Sequence, residues 1–144
     1  MNPVRALAAA LLLVTTPALA GVVGGPFTAT GTLKSMDDLY AEHVSGEDGP
    51  TRLEAENLMG AYGEVTRSYT LTFARGKVAT LRAESANGED IDCYVHAPDG
   101  KLIVSDKRAG STCDLRWKVR GNGKVTVSVW NMGRHTTTYT LTTN

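Results

Sequence analysis

From Glu64 to the C-terminus, apolar and polar residues alternate in short runs, and a period of two is the pattern of a strand with one buried face. In the first run Val65, Tyr69, Leu71 and Phe73 fall on one side, with Thr66, Ser68, Thr70 and Thr72 on the other. Later runs group Ala79, Leu81 and Ala83, then Ile91, Cys93 and Val95, then Cys113, Leu115, Trp117 and Val119. Val125, Val127 and Val129 follow, and Tyr139 and Leu141 close the pattern. Between the runs stand "ARGK", "ESANGED", "APDG", "RGNGK" and "NMGRH". Pro98 is preset for the second position of a turn, and Asn87-Gly88 can take positive φ. Short strands with a turn about every eight to twelve residues predict an all-β chain, an antiparallel jelly-roll-like sandwich over residues 64–144.

Upstream of Glu64 the pattern changes. Residues 1–20 carry one base (Arg5), an apolar run from Ala6 to Val14, and small residues at Ala18 and Ala20. That is the layout of a secretory signal cleaved after Ala20, and the run is shorter than the ~20 residues a membrane span needs. The expected mature chain is soluble and periplasmic or secreted. Residues 21–63 form an acidic lead-in, beginning with a Gly-rich extended stretch. "SMDDLYAEHV" offers Ser35 as a helix N-cap with Asp37 and Asp38 in the first turn; "TRLEAENLM" offers Thr51 and Glu54 at capping-box spacing. Interrupting glycines leave helix and irregular structure both open at each.

Fifteen acids balance fifteen bases over the whole chain, but unevenly. Residues 21–66 hold eight acids against Lys34 and Arg52, whereas twelve bases meet seven acids from Arg67 onward. The acidic segment is suited either to a basic face of the later domain or to a basic partner. The bases are spaced singly with few interleaved aromatics, so nucleic-acid binding is not expected.

Cys93 and Cys113 are the only cysteines, and both fall on inward strand faces of an exported chain. A disulfide is the expected outcome, contributing about 3 kcal/mol by restricting the unfolded chain. His96 stands three residues from Cys93 and so points to the opposite face, where it cannot serve the thiol as a base. Asp90 and Asp92 share a face. With Asp106 from the returning strand they could supply oxygens to Ca²⁺, although the alternative is an acidic edge that accepts backbone hydrogen bonds. His43, His96 and His135 show no metal-ligand spacing. Nothing resembles a nucleophile elbow or a phosphate-binding glycine loop. A small hydrolase acting through Asp90 and Asp92 is the weakest of the functional readings, since carboxylate pairs have no diagnostic spacing.

Residues 68–144 resemble the bacterial pre-peptidase C-terminal (PPC) domain family. The resemblance runs through "SYTLTFARGKVATLRAES", "EDIDCYVHAPDGKLIVSD", "CDLRWKV" and "KVTVSVWNMGRHTTTYTLTTN". Its marks are the Asp90-x-Asp92 strand, the turn Pro98 to Gly100, and a closing pattern of Val129, Asn131, Gly133, Tyr139 and Leu141. It implies a jelly-roll sandwich of non-catalytic type, in a family some of whose members bind Ca²⁺ or matrix proteins such as collagen. No peptidase precedes residues 68–144 here, so an appendage role is not expected. The layout is also similar to the small periplasmic lysozyme inhibitors, single β-sandwiches whose targets are basic. The expected function is an exported binding module for a protein or glycan, assisted by Ca²⁺ in one version. A lysozyme-inhibitor-like protein is the alternative. Contact would fall on loops 85–90, 105–111 and 131–135 or on the acidic segment 36–56.

Overall fold

The computed structural model describes residues 21–46 and 49–144. The expected export signal, residues 1–20, lies outside them, as do Glu47 and Asp48 of the acidic segment. Among the described residues eight strands form: β1 (Thr28–Leu33), β2 (Thr66–Thr72), β3 (Val78–Ser85), β4 (Ile91–His96), β5 (Leu102–Asp106), β6 (Thr112–Lys118), β7 (Lys124–Asn131) and β8 (Thr137–Thr143). They make two four-stranded sheets of order β1-β8-β3-β6 and β2-β7-β4-β5, antiparallel in every pairing. This order is the double-sheet jelly roll.

The inward residues of the alternating runs meet between the sheets. Ala79, Leu81, Ala83, Ile91, Cys93, Val95, Cys113, Leu115, Val127, Val129, Tyr139 and Leu141 are all buried there. Phe73 and Trp117 pack edge to face at 5.1 Å between ring centres, a favoured aromatic arrangement. Cys93 on β4 and Cys113 on β6 are joined, with 6.1 Å between their Cα atoms. Since β4 and β6 belong to different sheets, the disulfide ties one layer of the sandwich to the other.

The sandwich takes in more of the chain than residues 64–144. Thr28–Leu33, inside the lead-in 21–63, is an edge strand in register with β8 along its whole length. Leu33 fills its inward side at one end, and Gly31 is small because the neighbouring strand fills the space: a Cβ there would lie 2.9 Å from the ring of Tyr139. Tyr139 is fully buried, and its hydroxyl shares a hydrogen bond with that of Tyr69.

Both candidate helices form where their caps stand. α1 (Met36–His43) starts with Ser35 Oγ accepting the Asp38 amide at 2.9 Å, and it buries Leu39. α2 (Arg52–Ala61) starts with a complete capping box between Thr51 and Glu54. Glu54 also accepts from the Ser45 hydroxyl at 2.7 Å, and these bonds lower its pKa to about 2. A 3-10 turn, Tyr62–Val65, then leads into β2. The acids of this segment meet its own two bases: Lys34 pairs with Glu42 at 2.7 Å and Glu64 at 2.9 Å, and Arg52 with Glu56 at 3.1 Å. Among the described residues no acid of the segment is in an ion pair with a lysine or arginine of the later domain.

Candidate functional site

Loops 85–90, 105–111 and 131–135 all lie at one end of the sandwich, and hydrogen bonds join them to each other and to α1. Glu89 Oε2 accepts from the amides of Arg134 (2.8 Å) and His135 (3.3 Å), and its Oε1 lies 2.7 Å from His135 Nδ1. The His135 contact, with these backbone donors, holds the Glu89 carboxyl below its ordinary pKa. Gly133 leaves room for that carboxylate, because a Cβ there would collide with it. Asp90 Oδ1 accepts the Gly110 amide at 2.8 Å. Asp38 of α1 accepts both the amide and the hydroxyl of Thr136 at 2.7 Å, which lowers its pKa. At the centre is Asn131, only 3% exposed. Its Nδ2 donates to the carbonyls of Leu33 (3.2 Å) and His135 (2.9 Å), and its Oδ1 accepts from Gly133 N at 2.9 Å. A buried amide with three bonds satisfied is a fixed junction, here joining β1, β7 and the 131–135 loop.

Beside this junction lies a cleft of about 600 Å³, between the outer face of the second sheet and the start of the helical lead-in. Its floor is set by strand register. Trp130 stands opposite Asp92, and Tyr94 opposite Ser128, so the even-numbered residues of β4 and β7 share the outward face. Tyr94 and His96 stack at 6.2 Å with 18° between their planes, and Trp130 meets Tyr94 edge-on at 6.1 Å. Met36, Tyr62 and Val65 form the opposite wall, while Met132 and Arg134 reach in from the loop. Tyr62 and Met132 keep 40% and 55% of their surface exposed. Apolar walls with a few placed polar groups are what a ligand site requires. The sequence pattern put Tyr94 and His96 on one face, but Trp130 and Tyr62 joined them only through β-pairing and the path of the lead-in.

The three aspartates considered for Ca²⁺ each have protein donors. Asp92 is buried and accepts from the Tyr94 hydroxyl at 3.1 Å; burial raises its pKa, against the pull of that bond. Asp106 accepts from Arg108 Nε (2.9 Å) and Nη2 (2.7 Å) and from the amides of Arg108 (3.2 Å) and Asp114 (3.1 Å). Its carboxyl is held well below the usual range, chiefly by Arg108. The Asp114 contact reaches β6, so Asp106 links the adjoining edges of the two sheets. Among the described residues no three acidic, histidine or cysteine side chains are grouped to hold a metal ion. Nor does any serine, threonine or cysteine there hydrogen-bond a histidine; His43 Nδ1 is 3.0 Å from the Leu39 carbonyl.

No family model matches the sequence, and no curated protein matches it. Solved structures do. The pre-peptidase C-terminal domain of collagenase from Bacillus anthracis aligns at a TM-score of 0.50 and 15% identity, over 82% of this chain and 88% of that one. The chain shares the fold of a PPC domain. The periplasmic inhibitor of g-type lysozyme from Aeromonas hydrophila aligns at 0.46 and 14% identity, over 83% of this chain and 84% of its own. The mitogen from Yersinia pseudotuberculosis aligns at 0.49 and 14%, over 83% and 85%. The PPC-like pattern read in the sequence has a structural meaning: Asn131 is the junction, Gly133 makes room for Glu89, and Tyr139 fills the space above Gly31. No helix among the described residues is long and apolar enough to cross a membrane.

Proposed function

We propose that the chain is an exported, non-catalytic binding module that captures a protein or glycan partner in the cleft formed by Tyr62, Tyr94, His96 and Trp130. One observation carries this reading: aromatic side chains stand on an outward sheet face that a fully solvated sandwich would leave polar. Rings held by cross-strand neighbours offer contact area at small entropic loss, and they stack equally well on sugar rings and apolar side chains. The disulfide supports export, because such bonds persist in oxidising compartments. The working unit on this reading is the sandwich together with its lead-in, residues 21–144.

The test is capture from an extracytoplasmic extract and on a glycan array, comparing the wild-type chain with Trp130→Ala and Tyr94→Ala. Loss of capture by both, with unchanged melting, supports the cleft; capture at wild-type strength by both refutes it. The acidic surface of α1 and α2 gives lysozyme inhibition a place among the assays, since basic enzymes are attracted to it. Inhibition by wild-type protein but not by Trp130→Ala would identify the partner. Calcium is tested by thermal melts with Ca²⁺ and with chelator. With Asp106 already paired to Arg108, the two midpoints should coincide, and a rise in Ca²⁺ would establish a site.

A further inference from the structure

The opposite end of the sandwich is built from turns rather than loops, and it differs in charge and shape. Turn 97–101 and the segment 117–125 enclose a cavity of about 540 Å³, within the ~300–1,000 Å³ of small-ligand sites. Its apolar surface comes from Leu102, Ile103, Trp117 and Val125, of which Leu102 and Ile103 are 49% and 41% exposed. Around it stand four cations, Lys101, Lys118, Arg120 and Lys124, and no acid lines it. Among the described residues none of the four is in an ion pair. The acid of the 97–101 turn, Asp99, accepts the amide of Lys101 at 3.0 Å. Trp117 is 7% exposed, and its indole N–H has no acceptor among the described residues.

We propose that this cavity binds a single-chain anionic amphiphile, with its apolar chain against Leu102, Ile103, Trp117 and Val125 and its carboxylate or phosphate head among the four cations. Each half of the lining calls for a different half of the ligand. Apolar walls alone would accept any hydrophobe, whereas cations alone would hold only small anions weakly in water. The cavity is concave, so it suits a monomer rather than the flat surface of a bilayer. The site is independent of the aromatic cleft, and either can exist without the other.

The chain has two tryptophans, so Trp130→Phe leaves Trp117 as the single emitter. That variant of the mature chain is titrated with dodecanoate below its micelle concentration, with dodecyltrimethylammonium, with acetate, and with phosphatidylglycerol vesicles. Dodecanoate should shift the Trp117 emission saturably, with the cation-headed chain and acetate at least about tenfold weaker. Adding Lys118→Glu and Arg120→Glu, both exposed, should weaken dodecanoate by about tenfold or more without lowering the melting midpoint. If that pair perturbs folding, Lys101→Gln with Lys124→Gln supplies the same comparison. No response to dodecanoate at millimolar concentration overturns the proposal. So does equal binding of both head groups, indifference to the charge variants, or binding of vesicles without the monomer.

Discussion

The two outer faces of the sandwich obey the same pleat but carry opposite chemistry. On the first sheet, Thr28, Thr30 and Thr32 of β1 stand in register with Thr142, Thr140 and Thr138 of β8, all exposed. Farther across the same sheet, Arg82 makes a forked pair with Asp114, both bonds at 3.0 Å. Water satisfies short hydroxyls and exposed ion pairs, and no helix among the described residues lies over this face. The second sheet turns Trp130, Tyr94 and His96 outward, and here the lead-in folds over the strands, anchored through Asp38 and Asn131. Its cover is partial, and the uncovered remainder is the cleft. The lesson is that the outward half of a strand pattern, often read as mere solvation, distinguishes a bare face from a binding face.

Breaking the tie between the layers should have the largest effect, because both faces share one core. Cys93→Ala with Cys113→Ala should lose about 3 kcal/mol of stability, read as a fall of roughly 10 °C in the melting midpoint. Next comes the comparison itself. Trp130→Ala should weaken partner capture about thirtyfold, as a central aromatic contact does, while Thr140→Ala on the bare face leaves it unchanged.

Asp106→Asn removes the carboxylate that joins the sheet edges and should lose about 2 kcal/mol at neutral pH. Its sign follows from the lowered folded-state pKa. The stabilisation is complete above the unfolded value of about 4 and fades as pH falls further, so wild type and variant should converge in acid melts. Asp38→Ala should lower the midpoint less and act locally, with faster amide exchange in α1 and the 134–137 backbone. The smallest effect belongs to Asp92→Asn. Burial raises the Asp92 pKa, so its ionised form opposes folding and wild type gains stability as pH falls through the raised value. The amide variant should therefore melt at or slightly above wild type at pH 7, still accepting from the Tyr94 hydroxyl, with the difference shrinking in acid.

Strand faces, the cysteine pair and both helix caps were legible in the chain, because each depends on residues a few positions apart. Thr51 and Glu54 form their box within one helical turn, and Ile91, Cys93 and Val95 face inward whatever strand lies beside them. β1 was not legible as a strand. "TATGTL" has little apolar weight, because Tyr139 from the far end of the sequence supplies the bulk that Gly31 leaves out. The same holds for function. Sequence alone determined a disulfide-tied β-sandwich with its core residues in place, since burial period and cysteine placement are local properties. Only the tertiary structure decided that Trp130 meets Tyr94, that Asp106 accepts the Asp114 amide of β6, and that Lys101 lines the same cavity as Trp117. Those groupings come from bringing different strands and turns together in space, so the pattern of a single strand does not contain both partners.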